Sequence, residues 1–178
     1  DQDPQAVGRG VIEGLYPWIG PPSDQHDATV LFSGPTWRAA MDAREQLAEI
    51  YGVGVDLWSA TSYKALRDEA MAAERWNRLH PGQPPRAPLV TQKLAAGPGP
   101  VIAVSDYVRA VPDQVARWVP RRWLSLGTDG YGRSDTRERL RRYFEAYALN
   151  SAGTASDATI YEAADIDRRT AVAYEGLL

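Results

Sequence analysis

Trp123-Leu124-Ser125-Leu126-Gly127-Thr128-Asp129-Gly130-Tyr131-Gly132-Arg133-Ser134-Asp135 reads as a short strand, a glycine-studded loop and a helix start. Residues 123–126 are mostly apolar and stop at Gly127. The three glycines that follow let the backbone take positive φ or approach another surface closely. Asp135 fits an N-cap, and Glu138 three residues on completes a capping box. Leu140, Tyr143 and Phe144 continue at helical spacing. A loop of this kind sits at the carboxyl end of its strand, where open α/β sheets bind ligands or partners.

The same alternation runs through the rest of the chain. Residues 1–8 are polar and read as a frayed end, and Gly10 to Tyr16 as a strand whose glycines and Pro17 suit a sheet edge. Residues 28–32 form a buried apolar strand, and the break Ser33-Gly34-Pro35 leads into a helix over 36–51. Ala40, Met41, Leu47, Ile50 and Tyr51 mark its inner face, and Gly52 its stop. A strand over 53–58 precedes Ser62, which caps a helix with Tyr63, Leu66, Ala70 and Ala73 inward and Pro81 at its end. Four prolines make 81–88 an extended connector. Residues 101–104 are a further strand, and Pro112 fits the first turn of a helix ending near Val119. Residues 147–164 lack periodicity and read as an insertion, and 165–178 as a last helix.

These elements predict one α/β domain over 1–178 around a mainly parallel sheet of about five strands. Crossovers are right-handed and parallel strands all point the same way, so the loops at Ser33-Gly34, Ala60-Thr61-Ser62, Ser105-Asp106 and 127–134 should share one sheet edge. Helix N-termini there would favour anions. Two readings of that edge stand together: a ligand or partner surface, and the capping any α/β domain gives its helices.

Composition removes whole classes of function. The chain has no cysteine, hence no disulfide, thiol nucleophile or thiolate metal site, which fits a cytoplasmic placement. A formal charge of -3 gives no case for nucleic acid or an anionic membrane. No apolar run reaches membrane length. His26 and His80 are the only imidazoles, and nothing in sequence supplies His80 with a nucleophile. His80 reads as a helix-end residue bonding backbone carbonyls, and His26 as an exposed loop residue. Arg121-Arg122 and Arg137, Arg139, Arg141 and Arg142 read as solvated faces with ion pairs. The abundance of Trp and Tyr points to a dense core or a large interface.

Several longer motifs occur in order. Asp56-Leu57-Trp58-Ser59-Ala60-Thr61-Ser62-Tyr63, Glu74-Arg75-Trp76-Asn77-Arg78-Leu79-His80-Pro81, Ser105-Asp106-Tyr107, Arg117-Trp118-Val119-Pro120 and Leu126 to Asp135 carry the likeness. Over residues 8–145 the chain resembles the C-terminal, transketolase-type domain of the homodimeric pyruvate dehydrogenase decarboxylating component. The resemblance implies a three-layer α/β sandwich whose first, edge strand is antiparallel to the others. It implies a complete enzyme that uses thiamine diphosphate and Mg2+ to decarboxylate a 2-oxo acid and passes a two-carbon unit to a lipoyl group on a partner. The likeness departs after Glu145, where about eighteen residues, 147–164, intervene before a family-like ending. Thr128-Asp129-Gly130 is not the thiamine diphosphate motif Gly-Asp-Gly, because its first position is threonine and Asn150 stands alone downstream. No catalytic, cofactor or metal residue is therefore assigned to this chain. Thr61, Ser62, Asp106, Asp129, Arg133 and Asp135 are the candidates for holding the loops or a neighbouring domain. The expected partners are cofactor-binding domains or subunits in a dimeric assembly and a lipoyl or acyl carrier, with neither nucleic acid nor membrane. A stand-alone subunit of a split enzyme and a non-catalytic docking module of the same fold are the alternative readings.

Overall fold

The computed structural model describes residues 3–130, 134 and 136. The chain begins with α1 (Pro4–Glu13) and β1 (Leu15–Ile19), followed by β2 (Ala28–Phe32), α2 (Trp37–Tyr51) and β3 (Val55–Ala60). Next come α3 (Tyr63–Leu79), α4 (Leu89–Leu94), β4 (Val101–Val104), α5 (Ala110–Asp113) and β5 (Trp123–Leu126). The strands form one sheet in the order β1-β3-β2-β4-β5. β1 runs antiparallel to β3, and all other pairs are parallel.

The two central strands show why the layers form. Every residue of β2 and of β4 is buried. A strand apolar on both faces needs cover on both, which is how parallel sheets are normally found. On one face Val30, Phe32, Val55, Leu57, Ile102 and Val104 pack against Ala40, Ala43 and Leu47 of α2. On the other, Leu31, Val101 and Ala103 meet Tyr63 and Leu66 of α3, Val90 and Leu94 of α4, and Val115. The expected three-layer α/β sandwich with an antiparallel edge strand is what is found.

Several local expectations are corrected. Residues 4–13 are neither frayed nor a strand; they form α1, and β1 starts only at Leu15. Asp3 caps this helix by accepting from the Gln5 N–H at 3.1 Å, and Pro4 occupies its first turn. Gly10, taken as a mark of an edge strand, is a packing glycine. A Cβ there would lie 2.4 Å from Tyr16 Cβ, where the helix folds back onto β1. Gly14 ends α1 at φ +96°. On α2, Ile50 is 63 % exposed, because Tyr51 takes the i+4 position after Leu47. The helix expected from Pro112 to Val119 is split. Val115 N bonds Pro112 O, and Trp118 N bonds Val115 O, so three-residue spacing winds the stretch into α5 and a 3-10 turn at Ala116–Trp118. Helix α4, unforeseen in sequence, packs Val90 and Leu94 inward after the proline connector. The Asp135–Glu138 capping box, the arginines from Arg137 on, and residues 147–178 lie outside the described residues.

Tyr63 carries an orphaned hydroxyl. It is buried at the first turn of α3, and its Oη has no hydrogen-bond partner among the described residues. Burial, and secondarily the Asp113 carboxylate, push its ionisation above the ordinary phenol range. An unsatisfied buried hydroxyl costs about 1–3 kcal/mol. Tyr63→Phe should therefore match or exceed the parent in urea unfolding. Leu66→Ala, one turn on and fully buried, should lose about 2–5 kcal/mol.

Candidate functional site

Because β2 to β5 are parallel, the carboxyl ends Phe32, Ala60, Val104 and Leu126 lie on one edge of the sheet. Of the loops predicted to share that edge, Ser33-Gly34, Ala60-Thr61-Ser62, Ser105-Asp106 and residues 127–130 do share it; residues 131–133 lie outside the described residues. The last turn of α1 joins them, since β1 is antiparallel and Leu15 pairs with Ala60.

Most of the polar groups in these loops are used internally. Thr36 Oγ1 accepts from Ser33 N at 3.2 Å and donates to Ser33 O at 2.9 Å. The backbone N–H groups of Thr61 and Ser62 donate to Gly14 O at 2.9 and 3.2 Å, and Thr61 Oγ1 donates to Val11 O at 2.8 Å. Ser62 Oγ caps α3 by accepting from Ala65 N at 3.1 Å. Thr61 and Ser62 thus lock α1 to α3. The capping predicted for Ser62 is present, and this edge does not offer a bare helix N-terminus at α3.

The second half of the edge is a clasp between the loops after β4 and β5. Thr128 N donates to Tyr107 O at 2.9 Å, and Thr128 Oγ1 to the Asp106 carbonyl at 2.7 Å. Asp129 accepts from the Arg109 backbone N–H at 2.9 Å through Oδ1, and pairs with the Arg109 guanidinium through Oδ2. Gly127 permits this approach, since a Cβ there would meet Tyr107 O at 2.4 Å. Of the predicted residues, Asp106 and Asp129 come together here. Arg133 and Asp135 lie outside the described residues, and the partner of Asp129 is Arg109, which sequence spacing did not suggest. The Arg109 guanidinium, then its backbone N–H, hold the Asp129 carboxyl below the usual carboxylate range.

Apolar side chains crown the same edge. Ile12 is 82 % exposed and Tyr107 60 %, with Val11, Trp37 and Val108 also exposed. Polar residues alone do not reveal this surface; its signal in the sequence is the apolar pair Val11-Ile12 between Gly10 and Gly14.

The donor set does not fit a divalent metal. Both Asp129 oxygens are engaged by Arg109, and among the described residues no group of three or more His, Asp or Glu is placed to hold a metal ion. The two histidines are also committed. His80 Nδ1 lies 2.8 Å from Trp76 O, as a helix-end residue, and His26 Nδ1 lies 2.7 Å from Asp56 Oδ2. Among the described residues, no helix is long and apolar enough to cross a membrane.

A family model described as the transketolase-like TK C-terminal domain matches residues 14–147. The chain belongs to that family. The pyruvate dehydrogenase E1 component of Pseudomonas aeruginosa is 41 % identical over 144 residues, covering 80 % of this chain and 16 % of that protein. The pyruvate dehydrogenase E1 component of Mycobacterium tuberculosis is 44 % identical over 140 residues, 78 % of this chain and 15 % of its own length. A solved transketolase from Leishmania mexicana superposes with a TM-score of 0.48 at 20 % identity, over 93 % of this chain and 19 % of the other. The chain spans about a sixth of the length of the curated relatives it matches. It is thus a transketolase-type C-terminal domain similar to that of pyruvate dehydrogenase E1 components.

The Arg109 clasp has a pH signature. A carboxyl whose folded pKa is depressed adds stability above its unfolded value, near 3.9. That contribution disappears as pH falls through the lower folded value. Followed by carboxyl 13C shift, Asp129 should titrate below about 3.9, and the Arg109 Nε–H signal should broaden over the same pH window. A midpoint at or above that value would mean the two loops are not clasped in solution.

Proposed function

We propose that this domain is the packing and assembly part of a thiamine diphosphate-dependent enzyme of the pyruvate dehydrogenase type. That enzyme decarboxylates a 2-oxo acid and delivers a two-carbon unit to a lipoyl or acyl carrier. The cofactor and its Mg2+ are held by other domains or subunits, in a dimeric cytoplasmic assembly. The observation that carries the reading is the row of exposed apolar side chains on the carboxyl edge: Val11, Ile12, Trp37, Tyr107 and Val108. Aromatic and aliphatic residues on a rigid polar frame are the composition of an interface centre. The internal bonding of Thr61, Ser62 and Asp129 supports the same view, because it leaves these side chains as frame rather than chemistry. Their role, with that of Asp106, Arg133 and Asp135, is to hold the loop shape against a neighbour.

The test is made in the complete enzyme. Ile12→Asp and Tyr107→Asp should leave the unfolding of this domain little changed while lowering 2-oxo acid turnover by about tenfold or more and shifting the assembly towards smaller species. Normal assembly and turnover in both variants would remove the edge from the interface. Calorimetry on the 178-residue chain alone should show no thiamine diphosphate binding. Micromolar binding there would place the cofactor site within this chain and refute the reading.

A further inference from the structure

The opposite end of the sheet holds a cavity of about 400 Å³ that the interface reading does not use. Its floor is Thr29, Asp56 and Trp58. Thr29 and Asp56 are neighbours in the β2–β3 register, near the amino ends of both strands. Lys93 and Leu94 of α4, Gly97, Pro98 and Arg121 form the walls, and His26 stands beside Asp56.

One wall is cationic and rigid. The Arg121 guanidinium donates to Gly99 O at 2.8 Å, to Thr29 Oγ1 at 3.0 Å, to Pro100 O at 3.2 Å and to Pro98 O. These are neutral acceptors, and no carboxylate pairs with Arg121 among the described residues. Four of its five N–H groups are used, and one on Nη1 is left. The guanidinium lies flat against bare backbone, since a Cβ on Gly97 would sit 2.2 Å from Nη1. Burial lowers its pKa, with Asp56 acting in the other direction. A fixed, partly desolvated cation is what a pre-organised anion contact requires. Lys93 also lines the cavity, but its ammonium is ion-paired towards the carboxyl edge of the sheet, on Glu13 Oε2 and Leu15 O, each at 2.7 Å, so Arg121 is the cation that faces Thr29 and Asp56.

The other wall accepts. Asp56 is only 22 % exposed, and its Oδ2 is held by His26 Nδ1. Its Oδ1 has no hydrogen bond among the described residues. A plain anion would meet this carboxylate as a like charge. A molecule that is anionic at one end and carries a hydroxyl at the other would satisfy both walls, with Trp58 as an apolar side.

We propose that this cavity binds a small hydroxylated organic anion, its carboxylate or phosphate oxygens held by Arg121 and its hydroxyl donated to Asp56. The site is independent of the interface at the carboxyl edge and stands whether or not that reading holds.

The chain's two histidines make the test direct. His26 reports on the cavity. His80, stacked on Trp76 at a centroid distance of 4.5 Å near the end of α3, is the internal control. Imidazole NMR signals of the full chain are followed while L-lactate, glycerol 3-phosphate, acetate or inorganic phosphate is added at constant pH and ionic strength. The expected result is a saturable shift of His26 alone, with Kd on the order of millimolar or tighter for lactate or glycerol 3-phosphate. Which of the two binds more tightly decides between carboxylate and phosphate. Acetate and phosphate should bind about tenfold more weakly than their hydroxylated counterparts. Asp56→Asn should alter that preference, and Arg121→Lys should weaken all four anions, with the dispersion of the remaining signals confirming the fold. The proposal is overturned by a His26 signal that does not saturate, by equal movement of His80, or by plain anions binding as well as hydroxylated ones.

Discussion

Burial of β2 on both faces is the constraint from which the rest of the molecule follows. Val30 and Phe32 point to one layer and Leu31 to the other, and all three are almost fully excluded from solvent. Such a strand cannot be an edge. It needs a neighbour on each side, supplied by β3 and β4, and helices above and below. Parallel neighbours in turn require crossovers, and because these strands all point the same way every strand-to-helix loop lies at the same end of the sheet. Function is then partitioned by geometry, with loops after strands at one end and loops before strands at the other.

The two ends differ in chemistry. At the carboxyl end the polar groups close on one another. Gly14 O takes the N–H groups of Thr61 and Ser62, and Asp129 is bound twice by Arg109. Beside these paired groups, Val11, Ile12, Trp37, Tyr107 and Val108 face outward. At the amino end the reverse holds: Arg121 is surrounded by carbonyls, and Asp56 keeps an open oxygen. The first arrangement suits a broad protein surface, and the second a small polar solute. A domain that is a sixth of the length of its relatives can therefore be supporting at one end and recognitive at the other.

Glycine explains much of how the ends are built. Gly14 takes positive φ to stop α1, Gly10 lets that helix lie on β1, and Gly127 lets one loop cross another. In each case the missing Cβ makes room for a neighbour in another element (Tyr16 for Gly10, Ser62 O for Gly14, Tyr107 O for Gly127), so the residue looks like a turn or strand breaker when seen locally. Gly10 shows the consequence: read locally it suggested an edge strand, whereas it sits in a helix.

Patterns of local origin were legible in the amino-acid sequence. These include the apolar runs of β2 and β4, the inward stripe Tyr63, Leu66, Ala70 and Ala73, the Ser62 cap, the Gly52 stop and the shared loop edge. They rest on periodicity, capping and handedness, which act over a few residues or follow from strand order alone. The pairing of Asp129 with Arg109, the commitment of Thr61 to Val11, the helical state of residues 4–13 and the gathering of His26, Asp56, Lys93 and Arg121 around one cavity were decided only by tertiary structure. Such contacts join residues many positions apart, and no local rule selects one arginine or one carbonyl over its equals until packing has brought a single one within reach.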